Sequence, residues 1–369
     1  MNATRRAAVV PAGAWGTALA MPLAANGFEV RLWMRRADAA AAFLSSRTHP
    51  HLPGAGFPPG VLATADLAEA IDGADLVVLA APSRALREVL APLRPLLGRS
   101  TMLVSVTKGI EPDSLLRMSQ VVAAELPDSA RLTVLSGPNF AIEVARRQPT
   151  ATVVAGRDSG DAAAVQEAFM TRDFRVYPHN DLGGVELGGA LKNVIALAVG
   201  IADGLGVGHN ARAALITRGL AEMARLGVAL GAHPLTFAGL AGMGDLVLTC
   251  TGDYSRNRRA GLAVGRGEPL ERVVASLGVV EGVPTTRAAL TLARQRSVPM
   301  PVTEQVHRVL YEGVPPREGV MALMARERAS EHDAPAPEGP ADLFPDAGGH
   351  LSLYLKKGSQ TRPQTTRKT

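Results

Sequence analysis

The sequence AAVVPAGAWG, residues 7–16, decides the fold. Residues 7–10 form an apolar run suited to a strand, a turn with two glycines follows, and residues 17–26 have a helical pattern. This order opens a dinucleotide-binding domain, in which the start of the helix offers free amides to a pyrophosphate. Gly13 would let the backbone approach the phosphates, and Gly16 would let the helix pack on the sheet.

The same stretch departs from the dinucleotide pattern at its first glycine, where this chain has Pro11. Proline has no N–H and cannot adopt a positive φ. We therefore expect a shifted loop and weaker cofactor binding. Taken alone, the stretch is equally well interpreted as a glycine-rich turn without a ligand.

The N-terminus also resembles an export signal, because Arg5 and Arg6 precede an uncharged stretch that ends at residue 28. Prolines and glycines interrupt that stretch, so we favour a strand, a turn and a helix. The single cysteine, Cys250, suits a reducing compartment. We expect a cytoplasmic protein with no membrane-spanning segment.

Further β-rich runs alternate with helical stretches through the first half, at residues 29–33, 75–81, 102–107, 132–135, 150–155 and 174–177. Strands separated by helices predict a parallel sheet with helices on both faces, and ligands then bind at the carboxyl ends of the strands. Residues 46–60 are rich in proline, glycine and histidine and predict a long surface loop.

Strand patterns stop near residue 182, and the predicted helices cover residues 185–202, 210–230, 258–264, 287–295 and 302–311. The predicted fold is an α/β Rossmann-like dinucleotide-binding domain, residues 1–182, followed by an all-α substrate domain, residues 183–328. Residues 329–369 have a composition typical of a disordered tail. The apolar run at 351–355 within it is either a docking peptide or without a role.

The charge of the chain points to small anions. The net charge is +5, and the tail contributes none of it, because five basic residues there balance five acidic ones. Aromatic residues make up 4% of the chain, which argues against stacking on single-stranded nucleic acid. The histidines lack metal-ligand spacing, so we predict no metal site.

Lysine is rare here: the chain has five lysines against 34 arginines, and three of the five lie in the tail. The body keeps Lys108, after an apolar strand, and Lys192, inside an apolar helix. Lysine can exchange a proton near neutrality when burial lowers its pKa, which arginine cannot do. Lys192 must therefore meet a ligand, a carboxylate or a cleft, although a structural buried pair or a snorkelling side chain is the alternative. Its helix face is small and apolar, with Gly188, Gly189, Ile195, Ala196 and Val199.

Three other groups of polar residues are candidates for ligand contacts. Arg35 and Arg36 follow the second strand, where arginine can pair with a 2′-phosphate, so NADPH is favoured over NADH; a solvated basic turn is the alternative. Residues 253–259 combine a helix start with several arginines, which suits a phosphate, or simply a capped and solvated helix. Asp245 is predicted on a loop, and Glu281 could accept from an amide or a ribose, or cap a turn.

These residues belong to an ordered series of motifs: AGAWGTALA (12–20), HLPG (51–54), APSRALREVL (81–90), TKGIE (107–111), LSGPNFAIEVA (135–145), GVELGGALKNVIALAVGIADGLG (184–206), NARAALITRGLAEM (210–223), GLAGMGDLVLTCTGDYSRNRR (239–259) and EGV (281–283). The series resembles the bacterial NAD(P)-dependent glycerol-3-phosphate dehydrogenases over residues 7–328. The resemblance implies reduction of dihydroxyacetone phosphate to sn-glycerol 3-phosphate, which supplies the backbone of membrane phospholipids.

The resemblance also implies roles for individual residues. Lys192 falls on the family's proton-exchanging lysine. The implied substrate contacts are Lys108, Gly137, Asn139 (where serine is usual), Lys192, Asp245, Ser255, Arg256 and Asn257. The implied cofactor contacts are Ala14, Trp15, Arg35, Lys108, Ala141, Arg256, Val279 and Glu281, to which the fingerprint and the basic turn add Gly13, Gly16 and Arg36.

Two alternatives remain open at this point. A two-domain dehydrogenase could act on another hydroxy acid or on ketopantoate, which substrate profiling would distinguish. A nucleotide-binding module without turnover would not need both body lysines. The expected partner is a small phosphate substrate, with no nucleic acid and no membrane insertion, and a homodimer stays open.

Overall fold

The computed structural model describes residues 5–98, 100–126 and 131–325. One sheet of eight strands has the order β3-β2-β1-β4-β5-β6-β7-β8. The strands are β1 Arg6–Val10, β2 Glu29–Trp33, β3 Val61–Thr64, β4 Leu76–Leu79, β5 Met102–Ser105, β6 Leu132–Ser136, β7 Thr150–Gly156 and β8 Phe174–His179. Residues 14–25 form a helix directly after β1, so the strand, turn and helix predicted for this stretch are confirmed.

The first six strands are parallel, whereas β7 runs antiparallel to β6 and β8 follows the direction of β7. The prediction of a wholly parallel sheet is therefore wrong at its last two strands. A parallel connection needs a crossover that brings the chain back along the sheet. The helix between β6 and β7 has five residues, Ala141–Ala145, and rises roughly 7 Å, far less than the length of a seven-residue strand.

Strand β3 was not predicted, because it is not wholly buried like the other four-residue strands, β4 and β5, and does not lie within a longer β-rich run, as they do. Its alternation is nevertheless regular: Val61 and Ala63 are buried, and Leu62 is exposed. The strand lies at one edge of the sheet, beside β2. An edge strand with one buried face needs fewer apolar residues than the central strands do.

Helices cover both faces of the sheet, as predicted. Alternate residues of one strand enter two separate apolar clusters, with Val9 of β1 in one and Ala8 in the other. The central strands are buried on both faces and therefore consist almost wholly of apolar residues. These helices are α1 Ala14–Ala25, α2 Ala37–Ser46, α3 Leu67–Ile71, α4 Leu86–Leu93, α5 Met118–Glu125, α6 Ala141–Ala145 and α7 Ser159–Phe169.

From Leu182 to Ala325 the described chain is helical and contains no strand, so the predicted fold class is confirmed. The helices are α8 Leu182–Gly204, α9 His209–Ala229, α10 Pro234–Ala238, α11 Asp245–Thr251, α12 Arg256–Gly265, α13 Leu270–Leu277, α14 Gly282–Gln295, α15 Pro301–Tyr311 and α16 Pro316–Met324. A π-helical turn, Leu240–Gly244, leads directly into α11.

The loop predicted around Asp245 is therefore wrong, because Asp245 begins α11. The glycines before it suggested a loop, but they allow close packing instead. A Cβ at Gly242 would lie 2.2 Å from the carbonyl oxygen of Phe237.

Helix α8 is the core of the helical half. By length and composition it could cross a membrane, whereas we expected no segment able to do so. The whole apolar stretch is nevertheless buried inside the fold. Gly200 and Gly204 let α12 approach closely: a Cβ at Gly200 would lie 2.2 Å from the carbonyl oxygen of Arg258, and one at Gly204 would lie 2.4 Å from that of Leu262. This packing fixes the start of α12 relative to α8.

The predicted boundary between residues 182 and 183 falls at the first residue of α8, and we keep it as a proposal. The predicted tail, residues 329–369, lies outside the described residues, as does the apolar run at 351–355.

Candidate active site

The strand order reverses at β1 and β4, which are neighbours in the sheet. Open α/β sheets bind ligands outside the carboxyl ends of their strands at such a switch point. The segments that leave β1, β4, β5 and β6 carry Gly13, Ser83, Lys108 and Gly137, respectively. Three of these four residues are predicted site residues.

The carboxylate of Asp245 joins both body lysines. Lys192 Nζ donates to Asp245 Oδ1 at 2.5 Å, and Lys108 Nζ donates to Asp245 Oδ2 at 2.5 Å. Lys108 Nζ also donates to the carbonyl oxygen of Gly137 at 3.2 Å. The segments after β5 and β6, helix α8 and helix α11 thus bring together four residues that are far apart in the sequence.

Thr249 is a member of this cluster that sequence reasoning missed. Lys192 Nζ donates to Thr249 Oγ1 at 2.6 Å. Its position four residues after Asp245 would have been the signal, because i and i+4 side chains share a face of a helix. That signal requires α11 to be recognised as a helix.

Two glycines of α8 make this convergence sterically possible. A Cβ at Gly188 would lie 2.6 Å from the carbonyl oxygen of Ala241, in the π-helical turn before Asp245. A Cβ at Gly189 would lie 2.7 Å from Ser136 Oγ and 3.5 Å from Lys108 Cγ. The small face around Lys192 therefore admits both the turn that carries Asp245 and the stem of Lys108.

Lys192 is 7% exposed, and burial is the main reason that its pKa falls to about 8. The nearby charge of Lys108 lowers this pKa further, whereas Asp245 opposes the fall. Lys192 thus meets a carboxylate in a buried pair, and its lowered pKa is compatible with the predicted exchange of a proton. A lysine in this range can deliver and recover a proton.

A hydrogen bond links the start of α12 to helix α8 beside this cluster. Asn257 Nδ2 donates to Asn193 Oδ1 at 2.8 Å, and Asn193 follows Lys192 on α8. Asn257 Oδ1 accepts from the N–H of Gly282 at 2.8 Å. Ser255 caps α12 by accepting from the N–H of Arg258 at 3.2 Å.

The arginines at the start of α12 differ in their partners. Arg258 pairs with Asp203 at 2.8 Å and with Asp253 at 3.0 Å, so its charge is already neutralised. Arg256 is exposed, and no hydrogen-bond partner for it is found in the described part of the chain. Arg256, like the exposed Arg259 on the same turn, is therefore open to an anion, and the family resemblance singles out Arg256 of the two.

Glu281 connects the two halves of the fold. Its Oε1 accepts from the N–H of Ser83 at 2.9 Å, and its Oε2 accepts from Ser83 Oγ at 2.5 Å. Accepting from an amide is one of the roles predicted for Glu281. Val279, also a predicted cofactor contact, is half-buried two residues earlier.

The segment after β6 is held by β7. Asn139 Nδ2 donates to the carbonyl oxygen of Ala151 at 3.2 Å, and Asn139 Oδ1 accepts from Thr152 Oγ1 at 3.0 Å. A Cβ at Gly137 would lie 2.9 Å from Thr152 Cα, so this position requires glycine. The segment then enters α6 at Ala141.

The segment after β1 has the open geometry that an anion needs. A Cβ at Gly13 would meet no heavy atom within 4 Å, and helix α1 begins with neither a side-chain cap nor an acidic residue in its first turn. Its first amides, from Ala14 onward, have no intrahelical acceptor. Trp15 Nε1 is buried and has no hydrogen-bond partner in residues 5–325 as far as these are described.

Gly16 has the packing role predicted for it, because a Cβ there would lie 2.7 Å from Val9 Cγ1. The Val10–Pro11 peptide is cis, and the N–H of Gly13 donates to the carbonyl oxygen of Pro11 at 3.0 Å. After β2, Arg36 pairs with Asp38 whereas Arg35 is exposed. The alternative of a solvated basic turn therefore fits Arg36, and Arg35 remains the candidate for a 2′-phosphate.

Both halves of the chain match one protein family. The model of the NAD-dependent glycerol-3-phosphate dehydrogenase N-terminus matches residues 6–162, and that of the C-terminus matches residues 181–321. The chain belongs to this family.

Family members with this name are similar over nearly their full length. Glycerol-3-phosphate dehydrogenase [NAD(P)+] of Symbiobacterium thermophilum is 55% identical, over 92% of this chain and 98% of the relative. Its namesake in Geobacter sulfurreducens is 53% identical, over 89% of this chain and 99% of the relative.

Solved structures agree with this assignment. The crystal structure of glycerol-3-phosphate dehydrogenase from Coxiella burnetii is 41% identical, with a TM-score of 0.83, over 88% of this chain and 99% of that one. A ketopantoate reductase from Ralstonia eutropha reaches a TM-score of 0.56 at 15% identity, which shows a likeness of fold alone. Among the described residues, no group of histidine, cysteine and acidic side chains could hold a metal ion.

Proposed function

We propose that this chain reduces dihydroxyacetone phosphate to sn-glycerol 3-phosphate with NADPH or NADH, and catalyses the reverse reaction. Membership of the family supports the reaction. The observation in the structure that carries it is the buried Lys192, with a pKa of about 8, held by Asp245 at the end of the sheet where ligands bind.

Lys192 is the proton donor in this proposal. When a reduced nicotinamide is bound, it supplies the hydride that the C2 carbonyl carbon accepts. The ammonium of Lys192 donates a hydrogen bond to the carbonyl oxygen and transfers its proton as negative charge develops there. In the reverse direction the neutral amine of Lys192 is the base.

Lys108 and Asp245 prepare this step. Asp245 accepts from both ammonium groups, one on each carboxylate oxygen, and so fixes their separation. Lys108 adds a second positive charge beside the developing oxyanion. Because Lys108 also disfavours the ammonium form of Lys192, it makes Lys192 the stronger acid.

The phosphate of the substrate is assigned to the start of α12. Arg256 offers a guanidinium, and the amides of Arg256 and Asn257, which precede the capped amide of Arg258, are the donors left at this helix start. Ser255 and Asn257 shape this start through their hydrogen bonds to Arg258 and Gly282. Gly137 and Asn139 border the substrate on the side of β6.

The residues present fit a dinucleotide. The open surface at Gly13, the uncapped start of α1 at Ala14 and the orphaned indole N–H of Trp15 provide donors and space for a pyrophosphate. Gly16 holds the helix against the sheet. Arg35, rather than Arg36, would meet a 2′-phosphate, and Ala141, Val279, Glu281, Lys108 and Arg256 would complete the contacts.

We also propose a cytoplasmic enzyme that supplies glycerol phosphate for membrane phospholipids. This role rests on the family resemblance and on the lone, buried Cys250.

The test follows the absorbance of NADPH or NADH after addition of dihydroxyacetone phosphate. We expect oxidation with both cofactors, and glycerol 3-phosphate as the product. Ketopantoate and 2-keto acids without phosphate are the controls for the alternative dehydrogenases. Oxidation with ketopantoate and none with dihydroxyacetone phosphate would contradict the proposal, and no oxidation with any substrate would favour a binding module.

A further inference from the structure

Ser83 lies four residues after the last residue of β4, beyond the carboxyl end of that strand at the switch point of the sheet, and is 1% exposed. Both of its donors are directed at one group, the carboxylate of Glu281, 198 residues away. Each oxygen of that carboxylate therefore has one donor from Ser83. A carboxylate has about four acceptor positions, so lone pairs remain on both oxygens.

The contact is sterically specific. A Cβ at Gly109 would lie 2.5 Å from Ser83 Cβ and 3.3 Å from Glu281 Oε2. A side chain at position 109, directly after Lys108, would therefore collide with Ser83 and crowd the carboxylate of Glu281. A hydroxyl and a carboxylate in this confined space hold one another in a single orientation.

The segment that contains Glu281 also reaches the substrate side. The N–H of Gly282 donates to Asn257 Oδ1, and Asn257 Nδ2 donates to Asn193 Oδ1, beside Lys192. Ser83 therefore holds the side chain of Glu281, and the backbone of the next residue is held from α12. Together these hydrogen bonds, joined by the peptide between Glu281 and Gly282, link the segment after β4 to the helix that carries Lys192.

We propose that Ser83 is a positioning residue for cofactor binding, which orients the carboxylate of Glu281 so that its free lone pairs accept from the ribose hydroxyls of the dinucleotide. The inference rests on the proposed function, in which Glu281 is a cofactor contact. Burial raises the pKa of Glu281, and the hydrogen bonds from Ser83, with the charges of Arg256 and Arg84, oppose that rise. Ser83 thus also favours the ionised form, which is the stronger acceptor.

Fluorescence titration of NADPH tests this without turnover. We expect Ser83→Ala to weaken NADPH binding roughly tenfold, the size of one lost hydrogen bond to a charged group, while kcat falls less than about threefold. Ser105→Ala is the matched control. Ser105 is also buried at a strand end, on the neighbouring β5, and its hydroxyl has no partner in the described chain.

A double-mutant cycle with Glu281→Gln separates positioning from a local structural defect. If Ser83 acts through the carboxylate, Ser83→Ala adds less than about twofold once Glu281 is replaced. Equal NADPH affinities in Ser83→Ala and Ser105→Ala, or a full tenfold effect that persists beside Glu281→Gln, would overturn the inference. If Ser83→Ala does not fold, Ser83→Cys, a weaker donor of similar shape, is measured in the same way and the same outcomes apply.

The wild-type assay keeps this result separate from the proposed function. An enzyme that oxidises NADPH with dihydroxyacetone phosphate but shows no Ser83 effect contradicts the positioning role alone. A wild-type chain that binds NADPH without turnover contradicts the proposed reaction, and its NADPH affinities still decide the role of Ser83.

Discussion

The lysine cluster and the two open arginines of this molecule differ in whether they have partners within the protein. Lys192, Lys108 and Asp245 are already joined by short hydrogen bonds, and Asp245 is 1% exposed. Arg35 and Arg256 are exposed, and the described residues give them no hydrogen-bond partner. The group that we propose as the proton donor is thus held by protein partners, whereas the groups that we propose as phosphate contacts are open.

This difference predicts a division of kinetic effects. Interactions that strengthen only in the transition state change kcat, whereas uniform binding changes KM. Substitutions in the lysine cluster should therefore lower kcat, and substitutions at the open arginines should raise KM. The predictions below test this division.

The largest effect is expected for Lys192→Met, which keeps the length of the side chain and removes the proton. We expect kcat to fall by about 10²–10⁴, the usual size of general acid catalysis, with NADPH affinity nearly unchanged. Steady-state kinetics and a fluorescence titration measure the two quantities. A variant with most of its kcat would show that another group delivers the proton.

The open side of the comparison is tested next by Arg256→Met. Loss of a charge-assisted hydrogen bond to phosphate should raise the KM for dihydroxyacetone phosphate about 10- to 100-fold, with a smaller change in kcat. Arg259→Met is the matched control, because Arg259 is an exposed arginine on the same turn of α12. Equal KM values for the two variants would remove Arg256 from the phosphate site.

The sequence was sufficient to identify Arg35, Arg256 and the two lysines as candidates, but it did not predict the three-dimensional contacts of the lysines. Lys108 and Lys192 stood out because lysine is rare in this arginine-rich chain. The composition alone therefore showed the positions at which arginine is not used. The hydrogen bonds to Asp245 depend on Gly188, Gly189 and Gly242, whose close contacts are three-dimensional. Glycine before Asp245 suggested a loop, because a residue without a Cβ serves turns and tight packing alike.

The antiparallel strands β7 and β8 show the same limit. The residue pattern of β7 resembles that of a buried parallel strand, whereas β8 alternates buried and exposed residues. Neither pattern reveals the direction of these strands, which follows from the short link that precedes β7. Ser83 and Thr249 were missed for a related reason. Each acquires its role from a partner distant in the sequence or on an unrecognised helix, and neither stands out by composition.

The pH dependence of reduction tests the fixed side by a smaller effect. In the proposed mechanism, reduction requires the ammonium of Lys192. Because the pKa of Lys192 is about 8, kcat/KM should be level below that pH and fall about tenfold per pH unit above it. Because Asp245 raises this pKa, Asp245→Asn should move the fall to lower pH. An identical pH profile in that variant would show that Lys192 does not titrate in the reaction.

The smallest effect is expected at Arg35, the exposed residue after β2 that can reach a 2′-phosphate. An exposed ion pair is screened by water, so Arg35→Asp should lower kcat/KM for NADPH by about fivefold and leave that for NADH nearly unchanged. Arg36→Asp is the matched control: it adds the same charge one residue away, where the native guanidinium is already paired with Asp38. If the two substitutions shift the ratio of NADPH to NADH equally, the preference reflects the overall charge of the turn. If Arg35→Asp alone shifts the ratio of NADPH to NADH, the exposed Arg35 binds the 2′-phosphate, as the division between fixed and open regions requires.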